Sequence, residues 1–420
     1  MKKRIVSSFL GILFVIVAQA QAQWIPIEYM ISGNDTVTGN QTRSIKGGFL
    51  NEIYVCTDLG LFMSIDNGDY WMNITSGVEA LQGEKISSVL VAGGGDLYVG
   101  TDRSLFKCSN GGLLWSELAV LPDSAKFWDI VESSNGTIVA AYESASGSGA
   151  AYSNNYGDTW NLSSGISSEV RSFLRDGSNL FLSGVSNGVY KSTDNGHTFT
   201  AGAGFPENPG IWGVQRLGSK LFASSVAGKG LFSSSDEGET WDSTATEYFA
   251  DAFCQIFAMV SNGAVLITAN DGAATVGCNT AFRISVDSGI TWSNFEGGLD
   301  LSAGHYFPHL GKSNNGNCIF TIRNNGSEMY RYGDCTGMGL NEKTANKDIL
   351  LYPNPAKDKI QLQLPANEKL QQVKIYNTLG QLCRVATDNN TIDIEFLPQG
   401  IYYLKVQTKN RELTSRFVKE

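Results

Sequence analysis

"SIDNGDYW" occupies residues 64–71, and its spacing, Ser-x-Asp-x-Gly-x-x-Trp, recurs along the chain. The first copy is Ser64, Asp66, Gly68 and Trp71. Later copies read Ser153, Asn155, Gly157 and Trp160, then Ser192, Asp194, Gly196 and Phe199. Two more read Ser234, Asp236, Gly238 and Trp241, and Ser285, Asp287, Gly289 and Trp292. A degenerate copy has Cys108, Asn110, Gly112 and Trp115. The aromatic residues that end the copies fall 39 to 51 residues apart. A repeat of that length is one supersecondary unit that buries its apolar faces only against its neighbours.

Each octet follows similar text. "IYVCTDLGLFMS" (53–64), "LYVGTDRSLFKC" (97–108), "LFLSGVSNGVYKS" (180–192) and "LFASSVAGKGLFSS" (221–234) each read as two strands around a short turn. A third short strand lies upstream, as in "FWDIVES" or "VRSFLRD", and a fourth starts at the aromatic residue. The octet is thus the turn between the third and fourth strands. Asp or Asn at its third place accepts backbone N–H groups within the turn. Gly tolerates a positive φ, and Trp or Phe lays a large apolar face over the polar turn. The repeated residues therefore serve folding.

These residues resemble the Asp-box, or BNR, repeat of β-propellers such as sialidases, xyloglucanases, sortilin-type receptors and photosystem assembly factors. The resemblance implies that the boxes, including Asp66, Asn155, Asp194, Asp236 and Asp287, lie on the outer rim as scaffold, away from the binding face. Trp24 stands 47 residues before Trp71, about one period, and "HYFPHLGKSNNGNCIFTIRNNGSEMYRYG" (305–333) has three strands and no octet. The strand that starts at Trp24 is predicted to complete that last blade and remove a free sheet edge. The expectation is an all-β chain: a seven-bladed β-propeller over residues 23–335, followed by a small C-terminal β-sandwich.

The 420 residues leave room for two or three domains, and 47 glycines with only 17% charged residues suit a turn-rich β protein. The net charge of −10 argues against a nucleic-acid partner. Residues 1–22 read as a signal peptide: Lys2, Lys3 and Arg4, then an apolar run from Phe9 to Val17, then "AQAQAQ" with cleavage options after Ala20 or Ala22. No later run is long enough to span a bilayer. Of seven cysteines, Cys254–Cys278 and Cys318–Cys335 are the plausible bridges, because each pair brackets one blade; no pair has metal-site spacing.

Residues 336–348 read as a polar linker. Beyond it, "KIQLQL" alternates as a strand, "QVKIYNTLGQLCRV" reads as a hairpin around Asn377 to Gly380, and "IDIEFLPQGIYYLKVQT" reads as a second hairpin around Pro398 to Gly400. Three stretches carry a further resemblance: Tyr352-Pro353-Asn354-Pro355, Ile375-Tyr376-Asn377 with Leu379-Gly380, and Leu397-Pro398 with Gly400-Ile401-Tyr402, before a final Phe417-Val418-Lys419. Residues 349–420 resemble the C-terminal sorting domain of the type IX (Por) secretion system of Bacteroidetes. That implies a partnership with the type IX machinery and a destination outside the cell or on its surface.

In propellers, function lives where the first strand of each blade meets the central channel. Aligning "TRSI", "ISSV", "FWDI", "VRSF", "IWGV", "FCQI" and "HYFP" puts Arg43, Ser87, Trp128, Arg171, Trp212, Cys254 and Tyr306 at the second place. Arg43, Trp128, Arg171, Trp212 and Tyr306, with Asp129 beside them, are the candidate ligand-binding residues, since aromatic rings suit sugar faces and Arg suits carboxylates. The ligand would be an unidentified protein or glycan. The enzymatic alternative is a sialidase- or xyloglucanase-like glycoside hydrolase, which needs paired carboxylates; Asp129 and Glu132 are the only acids in register to supply them. His305 and His309 are four apart on a predicted strand, which does not set them side by side as metal ligands. No phosphate loop, dinucleotide motif or Ser/Cys–His pair is present, so no cofactor is expected.

Overall fold

The structure is a computed structural model. It describes residues 24–333 and 350–419 except 28–29, 33–34, 49–51, 65–67, 69–70, 94, 110–113, 122, 250–254, 262–264, 271–279, 300–306, 314–317, 325, 354–355, 365–368, 378–381, 388–389, 399 and 409–411. It is almost entirely β; the one α-helix described is Thr246–Phe249.

Antiparallel four-stranded sheets follow one another along the chain. The first is Thr42–Gly47, Ile53–Thr57, Gly60–Ser64 and Met72–Asn73. The second begins at Ile86–Val91 and ends at Leu114–Leu118, the third runs from Ala125–Glu132 to Asn161–Leu162, and the fourth from Val170–Asp176 to Thr200–Ala201. The fifth runs from Ile211–Leu217 to Asp242–Thr244, and the sixth from Ile256–Ser261 to Ser293–Asn294. In the seventh, His309–Lys312, Cys318–Ile322 and Met329–Gly333 are joined by Ile25–Ile27 from the other end of the chain. Ile25 pairs with Arg331 and Ile27 with Met329, as the placing of Trp24 predicts.

The first strand of each sheet packs on the first strand of the next, and that of the seventh packs on that of the first, so the set is cyclic. We call these first strands inner strands. Apolar side chains fill the layers between consecutive sheets. Phe181 and Val189 of the fourth meet Val214, Leu221 and Phe232 of the fifth, and Ile45, Val55 and Phe62 of the first meet Phe320, Ile322 and Met329 of the seventh. The strands that supply both layers are buried along their whole length, as Ile53–Thr57 is; a strand covered on both faces reads as a continuous apolar run rather than a strict alternation. Trp24 is 2% exposed; its indole N–H donates to the Phe295 carbonyl at 3.2 Å and its ring packs on Phe282, Phe295 and Tyr332.

The octets lie between third and fourth strands. Ser234 Oγ accepts from Gly238 N at 2.9 Å and donates to Asp236 Oδ1 at 2.7 Å. That oxygen also accepts from Thr240 N at 2.9 Å, Thr240 Oγ1 donates to Asp236 Oδ2, and Trp241 Nε1 donates to the Gly238 carbonyl at 3.1 Å. The copies at Ser192 and Ser285 repeat the Ser, Asp and Thr bonds, and Trp292 repeats the indole bond. Asn155 takes the Asp role, and Trp160 donates to Gly157. The threonines at the seventh place (159, 198, 240 and 291) belong to the motif, although sequence reading singled out only the aromatic beside them.

Glycine at the fifth place is needed twice over. Gly238 has φ +84°, and a Cβ there would meet Phe181 of the preceding sheet at 2.7 Å. Gly196, Gly289 and Gly68 likewise abut Val139, Phe222 and Ile27 of the sheets before theirs. The turn thus fits each sheet against its predecessor, the first against the seventh included. The residue before the glycine is also left-handed in four copies, at Tyr156, Asn195, Glu237 and Ser288. Asp66 lies outside the described residues, but Ser64 still accepts from Gly68 at 2.8 Å and Trp71 is buried. The degenerate copy keeps the register, Cys108 opposite Trp115. Its thiol replaces the serine hydroxyl, and the buried Trp115 indole N–H has no partner.

The C-terminal residues form a three-stranded sheet, Leu350–Tyr352, Lys359–Gln363 and Thr391–Asp393, and a four-stranded sheet of Leu382–Thr387, Leu370–Asn377, Gly400–Thr408 and Glu412–Lys419. Ile360, Leu362 and Ile392 of one share an apolar cluster with Val373, Ile375, Leu404, Val406 and Phe417 of the other. Leu370–Asn377 and Leu382–Thr387 pair antiparallel as predicted. The second predicted hairpin is not formed. Thr391–Asp393 pairs with Lys359–Gln363, whereas Gly400–Thr408 pairs with Leu370–Asn377 and Glu412–Lys419. Ile392, Ile394 and Leu397 are drawn into the shared cluster, so Thr391–Asp393 and Gly400–Thr408 belong to different sheets instead of folding back on each other.

Cys318 is in a disulfide; its predicted partner Cys335, like Cys254 and Cys278, lies outside the described residues. Cys56, Cys108 and Cys383 are thiols, and burial pushes that of Cys56 up to about 12.

Candidate functional site

Six inner strands share one irregularity at one place. The ladder slips between Thr42 and Ser44, Ile86 and Ser88, Phe127 and Asp129, Val170 and Phe173, Ile211 and Gly213, and Ile256 and Ala258. A bulge leaves its extra residue unpaired and re-aims the side chain. The residues so released are Arg43, Ser87, Trp128, Arg171 with Ser172, Trp212 and Phe257. Five are those the alignment put at the second place. In the sixth strand the alignment chose Cys254, three residues early. "FCQIFAMV" offers apolar alternation in either frame, and pairing with Leu266–Asn270 selects the later one. Tyr306 lies outside the described residues.

Except for Ser87, the bulged residues contact charged or aromatic side chains from neighbouring strands and turns. Arg43 grips Asp58 with Nε–Oδ1 2.6 Å and Nη2–Oδ2 3.1 Å, and Lys85 reaches the same carboxylate at 3.1 Å. Burial pushes the Asp58 carboxyl up, but the bonds from Arg43 and Lys85 outweigh it and hold it below its ordinary value. Lys126 Nζ lies 3.6 Å from Asp102 and 3.6 Å from the centre of the Trp128 ring. Burial lowers the Lys126 ammonium, against the pull of Asp102. Trp128 Nε1 donates to Glu143 Oε2 at 2.8 Å. The Arg171 guanidinium lies 4.1 Å over the Trp128 ring and 5.9 Å over that of Trp212, and it pairs with Glu143 at 3.3 Å and Glu169 at 2.8 Å. Trp212 in turn meets Phe257 edge-on at 6.3 Å. Two groups result: Arg43, Asp58 and Lys85 at the first and second sheets, and a chain from Asp102 through Lys126, Trp128, Arg171 and Trp212 to Phe257 of the sixth.

In three inner strands the next residue ties one sheet to another, a task the buried Ser87 shares by donating to the Phe127 carbonyl at 2.6 Å. Ser88 Oγ donates to the Phe127 carbonyl at 2.9 Å and Ser172 Oγ to that of Trp212 at 2.7 Å. Asp129, 3% exposed, stands in this row. Its Oδ2 accepts from Phe173 N at 2.8 Å, and its Oδ1 accepts from Ile130 N at 2.9 Å and meets Lys46 Nζ at 3.0 Å. Asp129 therefore ties the third sheet to the fourth, with both oxygens engaged. Glu132 accepts from Gly93 N at 2.7 Å. In the seventh sheet His309 pairs with Ile322, as Thr42 pairs with Thr57 in the first; burial pushes its imidazole down to about 4, against a hydrogen bond to the Thr42 backbone. His305 lies outside the described residues, and among those described no three His, Cys, Asp or Glu side chains converge as metal ligands. A separate groove between the second and third sheets is lined by Gly93, Asp96, Lys107, Glu132, Asn155, Tyr156 and Asp158, remote from the bulged residues.

Residues 350–420 match the family of secretion-system C-terminal sorting domains. No curated protein sequence matches the chain. The solved structure of YCF48 bound to D1 peptide is similar at TM-score 0.55 and 14% identity, over 76% of this chain and 99% of that one. YCF48 from Cyanidioschyzon merolae is similar at TM-score 0.52 and 14% identity, over 74% and 99%. A virginiamycin B lyase from Staphylococcus aureus is similar at TM-score 0.56 and 13% identity, over 74% and 99%. At these identities the likeness shows the fold alone, that of a β-propeller. No helix among the described residues is long and apolar enough to cross a membrane. The chain therefore has a β-propeller fold followed by a type IX sorting domain, which marks it for secretion or the cell surface.

Proposed function

We propose that this chain is an exported, seven-bladed Asp-box propeller whose ring face, at the bulged ends of the inner strands, is a binding surface for a protein or glycan ligand. In this reading residues 1–22 are the signal peptide, 23–335 the propeller, 336–348 a linker and 349–420 the sorting domain, folded as a small β-sandwich. The type IX machinery handles the last part, and the ligand meets the first.

One observation carries the reading. The position that the bulges release holds Arg, Ser, Trp, Arg, Trp and Phe in successive sheets, large polar and aromatic groups in five of the six. A position that served packing alone would be filled alike from sheet to sheet, as the octets are. The peptide named with YCF48 gives a precedent for a propeller of this shape holding a polypeptide. The glycoside-hydrolase alternative draws less support. It needs two carboxylates across a cleft, one able to give up a proton, whereas both oxygens of Asp129 are committed within the fold and Glu132 is held by Gly93 N.

The test is to measure binding and hydrolysis across peptide and glycan panels for the unaltered chain, Arg171→Ala and Asp194→Asn. Loss of binding in Arg171→Ala alone is the expected result. Turnover of any glycan, or binding lost only through Asp194, would defeat the reading.

A further inference from the structure

We infer that the groove between the second and third sheets binds an organic cation, an alkylammonium or guanidinium group such as ends a basic side chain. Its starting point is a contact that neighbouring junctions make and this one does not. At two junctions the residue just before one octet meets the sixth place of the next octet. Tyr152 packs on His197, ring centres 4.2 Å apart, where the third sheet meets the fourth. Lys191 Nζ pairs with Glu239 at 2.7 Å where the fourth meets the fifth. Ser233 and Ile290 hold these places between the fifth and sixth sheets and carry no charge. Between the second and third the places belong to Lys107 and Asp158, whose charges are complementary. Yet Lys107 Nζ turns to Asp96 at 3.1 Å and to the Tyr156 carbonyl at 2.9 Å. Asp158 is left without a cation among the described residues, and a groove of about 640 Å³ opens beside it.

The lining decides the class of ligand. Three carboxylates, Asp96, Glu132 and Asp158, face one ammonium, Lys107, which is committed to Asp96. Arg175 donates to the Glu132 backbone carbonyl at 3.3 Å rather than to its carboxylate. The hydrogen-bond donors of the lining are spent: Gly93 N on Glu132 Oε2 at 2.7 Å, Asn155 Nδ2 on Thr159 at 3.0 Å, and Lys107 as above. What remains is carboxylate oxygen and the side chain of Tyr156, which is 58% exposed. Ammonium and guanidinium groups carry donors, positive charge and no acceptor. They form short charge-assisted bonds to carboxylates and lie over aromatic faces. An anion is repelled by this lining. A neutral sugar brings nothing to balance Glu132 and Asp158, and its ether oxygens find no donor beyond the Tyr156 hydroxyl. A metal ion needs converging ligands, and no three acidic, His or Cys side chains converge among the described residues.

Titration calorimetry on the full chain tests this with four probes: a blocked Gly-Ser heptapeptide with one central arginine, its citrulline counterpart, spermidine and maltotriose. The arginine peptide and spermidine should bind, the citrulline peptide at least about tenfold more weakly, and maltotriose not at all. Whichever of the two cations binds tighter tells a polypeptide source from a free amine, and the class of group stands in both cases. Asp158→Asn, at an exposed position, should leave the urea midpoint in place and weaken arginine-peptide binding at least about tenfold. Tyr156→Gly suits the φ of +56° there, so the chain folds without the ring, and should weaken binding by about threefold or more. Equal binding of the arginine and citrulline peptides, or no binding of either cation, would overturn the inference. So would binding unchanged in Asp158→Asn or Tyr156→Gly, or maltotriose binding that Tyr156→Gly abolishes. None of these outcomes bears on the ring face.

Discussion

The octet turns and the ring face both draw on Asp, Ser and Trp, and they use them in opposite ways. In the turns, each copy repeats one set of bonds: serine to glycine, aspartate to serine and threonine, indole to carbonyl. On the ring face, one backbone feature is repeated, but the side chain it presents changes from sheet to sheet and finds a different partner each time. Repetition with identical bonds is the mark of a joint that must be made many times. Repetition of the backbone with changing side chains is the mark of a surface that need be made only once.

If this contrast holds, substitutions at joints cost stability and those at the face do not. The largest effect belongs to the closing joint. Trp24→Ala removes a fully packed indole that seals the seventh sheet, and a loss of about 3–5 kcal/mol in urea unfolding is expected. A loss under about 1 kcal/mol would mean that the ring does not depend on its terminal strand. Gly238→Ala comes next. It adds a Cβ 2.7 Å from Phe181 at a left-handed φ, for an expected cost of about 2–4 kcal/mol. Ser234→Ala leaves Gly238 N and Asp236 without their shared partner, at about 1–3 kcal/mol. Its counterpart on the face, Glu143→Gln, is expected to cost less than about 1 kcal/mol, because half-exposed ion pairs contribute little.

A further set of effects is in pH. Threonine hydrogen bonds hold Asp236 at about 2, below its ordinary 3.8. Its stabilisation is complete above about pH 4 and is lost as pH falls towards about 2, because there the unfolded chain binds the proton first. His309, pushed down by burial to about 4 from an ordinary 6.5, acts in a higher window. Between about 6.5 and 4 the unfolded imidazole is protonated and the folded one is not, so stability falls as pH drops through that range. Melting temperature against pH should show both steps. His309→Asn should erase the upper one and Asp236→Asn the lower; a profile unchanged in both variants would contradict these assignments.

Much of this architecture is legible in the sequence because a repeat makes each copy a witness for the others. The octet spacing, the strand text before it and the position of Trp24 together give the order of the sheets and the closing strand. The second place of the first five inner strands is legible for the same reason; in the sixth, two apolar frames compete. What is not legible depends on contacts between sheets. Asp129 looks like a free acid in "FWDI" because the N–H it serves, Phe173, is 44 residues away. Asp58 sits in a turn and Glu143 in a second strand, so neither reads as a partner of Arg43 or Trp128. "IDIEFLPQGIYYLKVQT" looks like a hairpin because only a second sheet reveals where Ile392 goes. The threonines of the octet are the exception: their repetition is in plain view, beside a larger residue.

The central claim, that the rim holds the ring together and the face does not, is tested most directly by the urea midpoints of two matched variants, Trp241→Ala and Trp212→Ala. Trp241 is 1% exposed and bonded to its own turn, so its loss should cost about 3–5 kcal/mol. Trp212, part-exposed at a bulge, should cost about 1 kcal/mol or less. Equal losses, or a larger one at Trp212, would contradict the division of labour between rim and face.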